Sequence, residues 1–431
     1  MKVLFLMILI SVLVFSCEKA EYESFRTYPD VSQVARVSLS PNSPVLIADG
    51  KAELTFKVKA YMGVEDTRTI EVKNEDEEVI LKDSVFTDTI EITADRIPQN
   101  EIKIYLEDGT PVSEVFTTTE HMGETLRFKA AVYGVESEVR EVRIIEKPKV
   151  SFEPITVPII FHVVYTTQEE YQYESIGTDM LQEILDRLNR VMKNELKNAP
   201  SSVDLNVTFV LADIDQYGKA LKEKGVNRVK LNDGENKDLY IKSNLVWDPM
   251  RYLNVWIGEA NEYTIDVQLP RYILDNGSFV QMAQYQDLQK VKDVSDISYW
   301  TYKEVGISLN KKHIYRMANA SSPDAAGGSG DRFETIIGKF YGLYPTWKDK
   351  YNGALDDFCS DPYTYFRIYS RPEKWTYEAT ATNKEQKNGH EIYFDSFNIM
   401  DEHSFCSTIT YEQALRMRTV MENCPFRMMR K

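Results

Sequence analysis

From about residue 35 to residue 148 the chain alternates apolar and polar residues with a period of two. The alternation runs through Val37–Leu39, Ala52–Ala60, Thr69–Lys73, Thr89–Thr93, Ile102–Leu106, Leu126–Tyr133 and Val139–Ile145. Side chains of a strand point alternately to opposite faces, so this pattern makes half-buried strands and gives no continuous apolar stripe to a helix. Turn residues, Pro41 and Pro44 first among them, separate the runs at the spacing of a β-sandwich. The region carries no constellation of catalytic residues, and its expected role is that of a spacer or binding module.

The period changes after the linker Glu146–Pro154. Val157–Tyr165 reads as a buried strand, with His162 a core or edge histidine rather than a metal ligand. Met180, Leu181, Ile184, Leu185, Leu188, Val191 and Met192 form one face of a helix that Thr178 and Asp179 can cap. Val203–Ala212, Tyr252–Ile257 and Gly306–Leu309 read as further strands. Residues 259–300 are aromatic and polar, with Tyr263, Tyr272, Phe279, Tyr285, Tyr299 and Trp300 spread through them; they suit a packed insertion or a platform for stacking ligands. Asn319–Gly330 reads as a flexible loop, and no Gly-Lys-Ser/Thr follows to make it a phosphate loop. Then comes Arg332–Trp347. Ile336, Ile337, Phe340 and Tyr341 fall at helical spacing, and Gly342 can end the helix in a left-handed conformation.

Gly338, Gly342-Leu343-Tyr344 and Thr346-Trp347 resemble the active-site helix of pappalysin-like (cytophagalysin) zinc metallopeptidases, which carries H-E-x-G-H-x-x-G-L-x-H. The resemblance continues in the strand at Val157–Tyr165, in Phe397–Asp401, similar to the family's Met-turn with Met400, and in Gln413 and Arg416-Met-Arg418, similar to its closing helix. It covers residues 155 to about 425. It implies an α/β (α+β) zincin-like domain over 155–431, preceded at 35–148 by an all-β sandwich. Ala48-Asp49-Gly50 and Gly123–Ala130 in that sandwich resemble bacterial immunoglobulin-like modules. In the family two His one turn apart and a third after the Gly turn hold zinc, and the Glu polarises its water. Here the first His position is Thr335, the Glu is Ile336, the second His is Lys339 and the third is Pro345. Zinc is the family's cofactor and none is expected here. The resemblance also implies a bridge between Cys359 and Cys406 near the Met-turn; Cys406 with Cys424 is the alternative.

At the N-terminus, Lys2 precedes the apolar run Val3–Phe15, too short to span a bilayer, and Ser16-Cys17 ends it like a bacterial lipobox. The expectation is a signal peptide over 1–16, lipid on Cys17 and a polar tether over 17–34, which anchor the chain to the bacterial envelope, on the outer membrane and facing outward. A formal net charge of −16 argues against nucleic acid as a partner.

The expected function is a surface lipoprotein with a catalytically inactive peptidase-like domain that binds peptide, protein or glycan. An active endopeptidase with unorthodox ligands and a structural envelope component are the alternatives. The five histidines, His121, His162, His313, His390 and His403, hold no i, i+4 pair; His390, His403 and an Asp are the conceivable replacement ligands. Asp356-Asp357 alone is weak evidence of calcium. The expected binding cleft has Lys339 and Asp401 within it and Tyr344 and Trp347 at its lip. Lys339 stands where the family has a cation, and Glu334 or Asp401 would be its partner; otherwise it reaches along the helix to solvent.

Overall fold

Alternating β-branched and aromatic residues make the first part of the chain strands. In chain order these are β1 (Val34–Pro41), β2 (Val45–Ile47), β3 (Leu54–Lys73), β4 (Val79–Ile92), β5 (Ile102–Leu106), β6 (Pro111–Val112), β7 (Val115–Phe116), β8 (Thr125–Val132), β9 (Val135–Glu136) and β10 (Arg140–Ile145). One sheet has the order β1-β3-β4, with β7 joined to β3; a second has the order β2-β10-β8-β5-β6, with β9 joined to β8. This is a computed structural model. It describes residues 33–73, 79–148, 152–259, 261, 264–275, 285–297, 300–318, 332–349, 357–367, 376–380, 391–395, 397–401 and 407–428. The leader, Cys17, Cys406, His390, His403, Asp356 and the loop 319–330 lie outside these residues.

The chain divides into two compact units. The smaller comprises Met1–Val37, Lys59–Lys103 and Ala131–Glu136. Within it β3 and β4 pair antiparallel from Ala60 opposite Ile92 to Lys73 opposite Val79, and the Arg36 guanidinium lies 4.1 Å from the Tyr61 ring centroid. The runs Ala52–Ala60 and Thr69–Lys73, expected as separate strands, are one strand here: pairing with β4 is unbroken through Gly63–Arg68, and the ladder carries the backbone through the polar stretch.

The larger unit comprises Ser38–Val58, Ile104–Ala130 and Ser137–Lys431. In its N-terminal part the rings of Phe56 and Phe116 close on Phe128, at 4.9 and 5.5 Å between centroids. Beyond the linker, β11 (Ile155–Thr166) is the middle of a mixed sheet. It pairs in parallel with β12 (Val207–Leu211), β13 (Val226–Leu231) and β14 (Leu253–Ile257). The order is β12-β11-β14-β18-β15, where β15 (Ile265–Val267) runs antiparallel to β18 (Gly306–Leu309). The near-continuous apolar run of β11 fits this central place, since a parallel strand is covered on both faces. Between β15 and β18, β16 (Tyr272–Leu274) and β17 (Gln289–Val291) pair in parallel; after Gly342 come the two-stranded pairs β19 (Trp347–Asp349) with β20 (Tyr365–Arg367) and β21 (Thr376–Thr380) with β22 (Glu391–Asp395).

Among the described residues five helices accompany the strands of this unit: α1 (Thr178–Met192), α2 (Lys237–Asn244), α3 (Lys311–Ala318), α4 (Phe333–Phe340) and α5 (Tyr411–Asn423). The expected face of α1 is the buried one: Leu181, Ile184, Leu185, Leu188, Val191 and Met192 enter the main core with β11, β12, β14 and α4. Its cap is not as expected. Gly177 is the N-cap, and Thr178 donates its hydroxyl to Lys224 O at 2.8 Å, so a tertiary acceptor has taken the capping group. The strand expected from Val203 begins only at Val207, because Asn206 takes a positive φ of 49° in a turn whose backbone N–H donates to Asp204 Oδ1.

Candidate functional site

Helix α4 is held at its C-terminal end by other elements. Its N-cap Arg332 makes no side-chain capping bond. At its C-terminus two fully buried arginines take the carbonyls that the last turn leaves free. Arg427 Nε donates to Phe340 O at 2.9 Å, and its other nitrogens reach Glu304 O and Gln268 O. Arg416 Nε donates to Gly342 O at 2.6 Å, and its NH2 group donates to Asp287 at 2.6 Å. Burial pushes the Arg427 pKa down to about 10. Gly342 has φ +93°, and a Cβ there would stand 3.0 Å from Val420 and 3.2 Å from Pro270, so both conformation and space require glycine. The helix therefore stops where the sequence predicts.

The segment Asn398–Asp401 packs beneath α4. A Cβ on Gly338 would lie 2.9 Å from Met400 Sδ, so Met400 fills the place of the missing side chain. Thr335 Oγ1 donates to Ile399 O at 2.8 Å. From the other side Thr346 donates its N–H to Met400 O at 3.1 Å, and its hydroxyl bonds Asp401. Asn398 Nδ2 donates to Gln413 Oε1 at 2.6 Å, which ties the turn to the start of α5, where Thr410 and Gln413 form a capping box. Thus Thr335, Gly338, Thr346, Met400 and Gln413, far apart in sequence, meet around one turn.

The four positions of chemical interest have these surroundings. Thr335 is buried and its hydroxyl faces a carbonyl. Ile336 lies wholly in the core. Lys339 is half-buried, and loss of solvent lowers its pKa. Pro345 is half-buried and carries no donor. A hydroxyl engaged by a backbone carbonyl, two side chains without a lone pair to give and an ammonium make no donor set for zinc, which takes imidazole, thiolate or carboxylate. The residues at this helix do not fit the metal. Among the described residues no group of three His, Cys, Asp or Glu converges. His162 is fully buried between Asn254, at 3.1 Å, and Asn227, at 2.9 Å, and desolvation lowers its pKa to about 4. It is a core residue, as its strand suggests.

The expected partners of Lys339 are both engaged elsewhere. Glu334 forms an ion pair with Arg187 of α1. Asp401 accepts from Thr346 and from Asn398 N. The reason is angular: five residues at 100° each place Glu334 about 140° around the helix from Lys339. Lys339 makes no ion pair among the described residues. Tyr344 is half-buried and turned inward: its hydroxyl donates to Asp287 Oδ2 at 3.0 Å, its ring faces Arg416 at 5.4 Å, and burial pushes its pKa up to about 12. Trp347 is half-buried and opens β19, paired with Tyr365. Cys359 is a buried free thiol, its pKa raised by burial and by Asp357 and Asp361; Cys406, its expected bridge partner, lies outside the described residues. Cys424 is likewise free and buried. Asp287 and Arg427 were not singled out in the sequence; each sits in a stretch without periodicity or motif, and only the fold shows what they bind.

No protein-family model matches this chain, and no curated protein does. Among solved structures, mature mirolysin of Tannerella forsythia in complex with a cleaved peptide is similar at 19% identity and a TM-score of 0.41, over 63% of this chain and 93% of that one. Mirolysin in complex with compound 9 has the same values, and a mutant of T. forsythia promirolysin has 19% identity and a TM-score of 0.42 over 65% and 85%.

Proposed function

We propose that residues 155–431 are a metallopeptidase-like domain without peptidase activity, which binds peptide or protein chains beside α4. The reading rests on one observation: where the family resemblance places two zinc ligands and the catalytic base, the side chains are a bonded threonine, a core isoleucine and a lysine with no acid partner among the described residues. An ammonium that has lost part of its solvent attracts a carboxylate from a ligand, and Lys339 is in that state. The antiparallel strand β15 lies next to α4 and among the described residues pairs only with β18; an extended peptide adds to such an edge through its backbone. Lipid on Cys17 would hold the domain at the envelope surface, where it meets its ligands.

The test is metal and activity together. The purified full chain, loaded with zinc and desalted, is expected to retain far less than one zinc per molecule and to show no chelator-sensitive cleavage of denatured protein substrates. One tightly held zinc with chelator-sensitive cleavage would overturn the proposal. Cys17→Ala is expected to move the protein from the membrane to the soluble fraction; a wild-type protein found soluble would remove the anchor from the reading.

A further inference from the structure

A second cleft lies away from α4. It has a volume of about 420 Å³ and is walled by the segment after β2, the linker to β11, the end of α1 with its following loop, and the start of α5. Within the larger unit these walls are fixed to each other: Ile47 N donates to Pro200 O at 2.8 Å, and Asn198 Nδ2 donates to Glu53 Oε1 at 3.2 Å. Such a volume falls in the range of small-ligand sites.

Its charge is opposite to that of the protein. The chain carries −16, yet Lys51, Lys147, Lys193 and Lys197 all line this one cleft. The two acids on its wall, Asp49 and Asp204, offset part of this and leave the lining with two more positive charges than negative ones. Asp49 accepts from the backbone N–H groups of Lys51 and Ala52 and meets Lys147 at 3.5 Å; Asp204 accepts from Asn206 N. Lys51, Lys193 and Lys197 make no ion pair among the described residues. In an acidic protein, four ammonium groups around one concavity repel each other, and an anionic ligand relieves that repulsion. Further in, Ser202 Oγ is buried and has no hydrogen-bond partner among the described residues, although it lines the cleft. Half-buried Phe152 and Tyr411 supply aromatic surface.

The geometry points to a binding site for an anionic saccharide, one or two sugar units carrying sulfate, phosphate or carboxylate groups. Lysines act as point charges that accept several anion geometries, where planar bidentate recognition of a peptide carboxylate favours arginine. The cleft wall has four lysines and no arginine. The aromatic rings give the apolar face of a sugar something to lie on. The site shares no residue with the region around α4, so it stands whether or not that region binds peptide.

The experiment is calorimetric titration of the full chain with a trisulfated heparin disaccharide, its unsulfated counterpart, inorganic sulfate and tetraglutamate. The sulfated disaccharide is expected to bind, more weakly as salt is raised, and the unsulfated one not to bind measurably. The double variant Lys193→Gln/Lys197→Gln is expected to lose about tenfold in affinity, from two exposed ion pairs, with an unchanged melting temperature. If that variant is unstable, Lys51→Gln/Lys147→Gln on the opposite wall must show the same loss. Absence of binding at low salt, wild-type affinity in the double variants, inorganic sulfate binding as tightly as the disaccharide, or tighter binding of tetraglutamate would each overturn the assignment.

Discussion

Two kinds of cation surround the end of α4. Arg416 and Arg427 are completely buried, and each has acceptors fixed around it: Gly342 O and the Asp287 carboxylate for the first, three backbone carbonyls for the second. Lys339, on the helix itself, is only half-buried and has no acid partner among the described residues. The difference separates scaffold from site. A buried charge with its hydrogen bonds complete is part of the architecture; one that has lost solvent without gaining a partner is open to a ligand.

The comparison can be broken most severely at Arg416. Arg416→Met leaves the half-buried Asp287 without its cation and frees the Gly342 carbonyl, and is expected to cost about 3 kcal/mol in urea denaturation. A loss below about 1 kcal/mol would mean that the pair is not structural. His162 provides the next largest effect. Its folded pKa of about 4 lies below the usual value, so the folded state resists the proton that the unfolded chain accepts. Its contribution is complete above pH 6.5 and is lost as pH falls towards 4, about 3 kcal/mol in all. Asp361, raised to about 7 by burial, acts oppositely: the folded state holds the extra proton, so its contribution falls as pH rises from about 4 to 7. The difference between wild type and His162→Gln, followed from pH 7.5 to 4.5, isolates the histidine; a difference independent of pH would show that it is not kept neutral.

Smaller effects sharpen the contrast on α4 itself. Thr335→Val removes the donor to Ile399 O and is expected to destabilise by about 1 kcal/mol. No change in stability would mean that this hydroxyl does not hold the turn. Lys339→Met is expected to do the reverse and stabilise by up to about 1 kcal/mol, because it removes an ammonium whose burial is uncompensated. That gain should shrink as pH rises towards 10.5, since the depressed Lys339 sheds its proton in the folded state before the unfolded one does. Destabilisation by Lys339→Met would show instead that the lysine has a structural partner.

The stop at Gly342, the apolar face of α1, the β11 run and the strand at Gly306–Leu309 were legible because each depends on neighbours in sequence: a left-handed residue, a helical period or a strand-length apolar run. The cap of α1 was misread because Lys224, remote in sequence, competes for Thr178. Helices α2 and α3 were not identified; α2 is short and buries only Ile241, and α3 buries only His313 and Ile314, so neither has a long apolar stripe. Around the candidate site, Gly338 and Met400 were legible only as parts of the family resemblance, and neither their contact nor the diversion of Glu334 to Arg187 was, since nothing local links residues so far apart in sequence.

What the sequence by itself determined is which groups are available. With Thr335, Ile336, Lys339 and Pro345 at those positions, no folding of the helix can supply imidazole or carboxylate there. What only the tertiary structure decided is which groups are left over. Thr335, Asp401 and Tyr344 are engaged by carbonyls, hydroxyls and a carboxylate that arrive from other elements. Among the described residues Lys339 and, in the second cleft, Lys51, Lys193 and Lys197 have no acid partner, because charge pairing depends on distance in space, and that is set by how the elements pack.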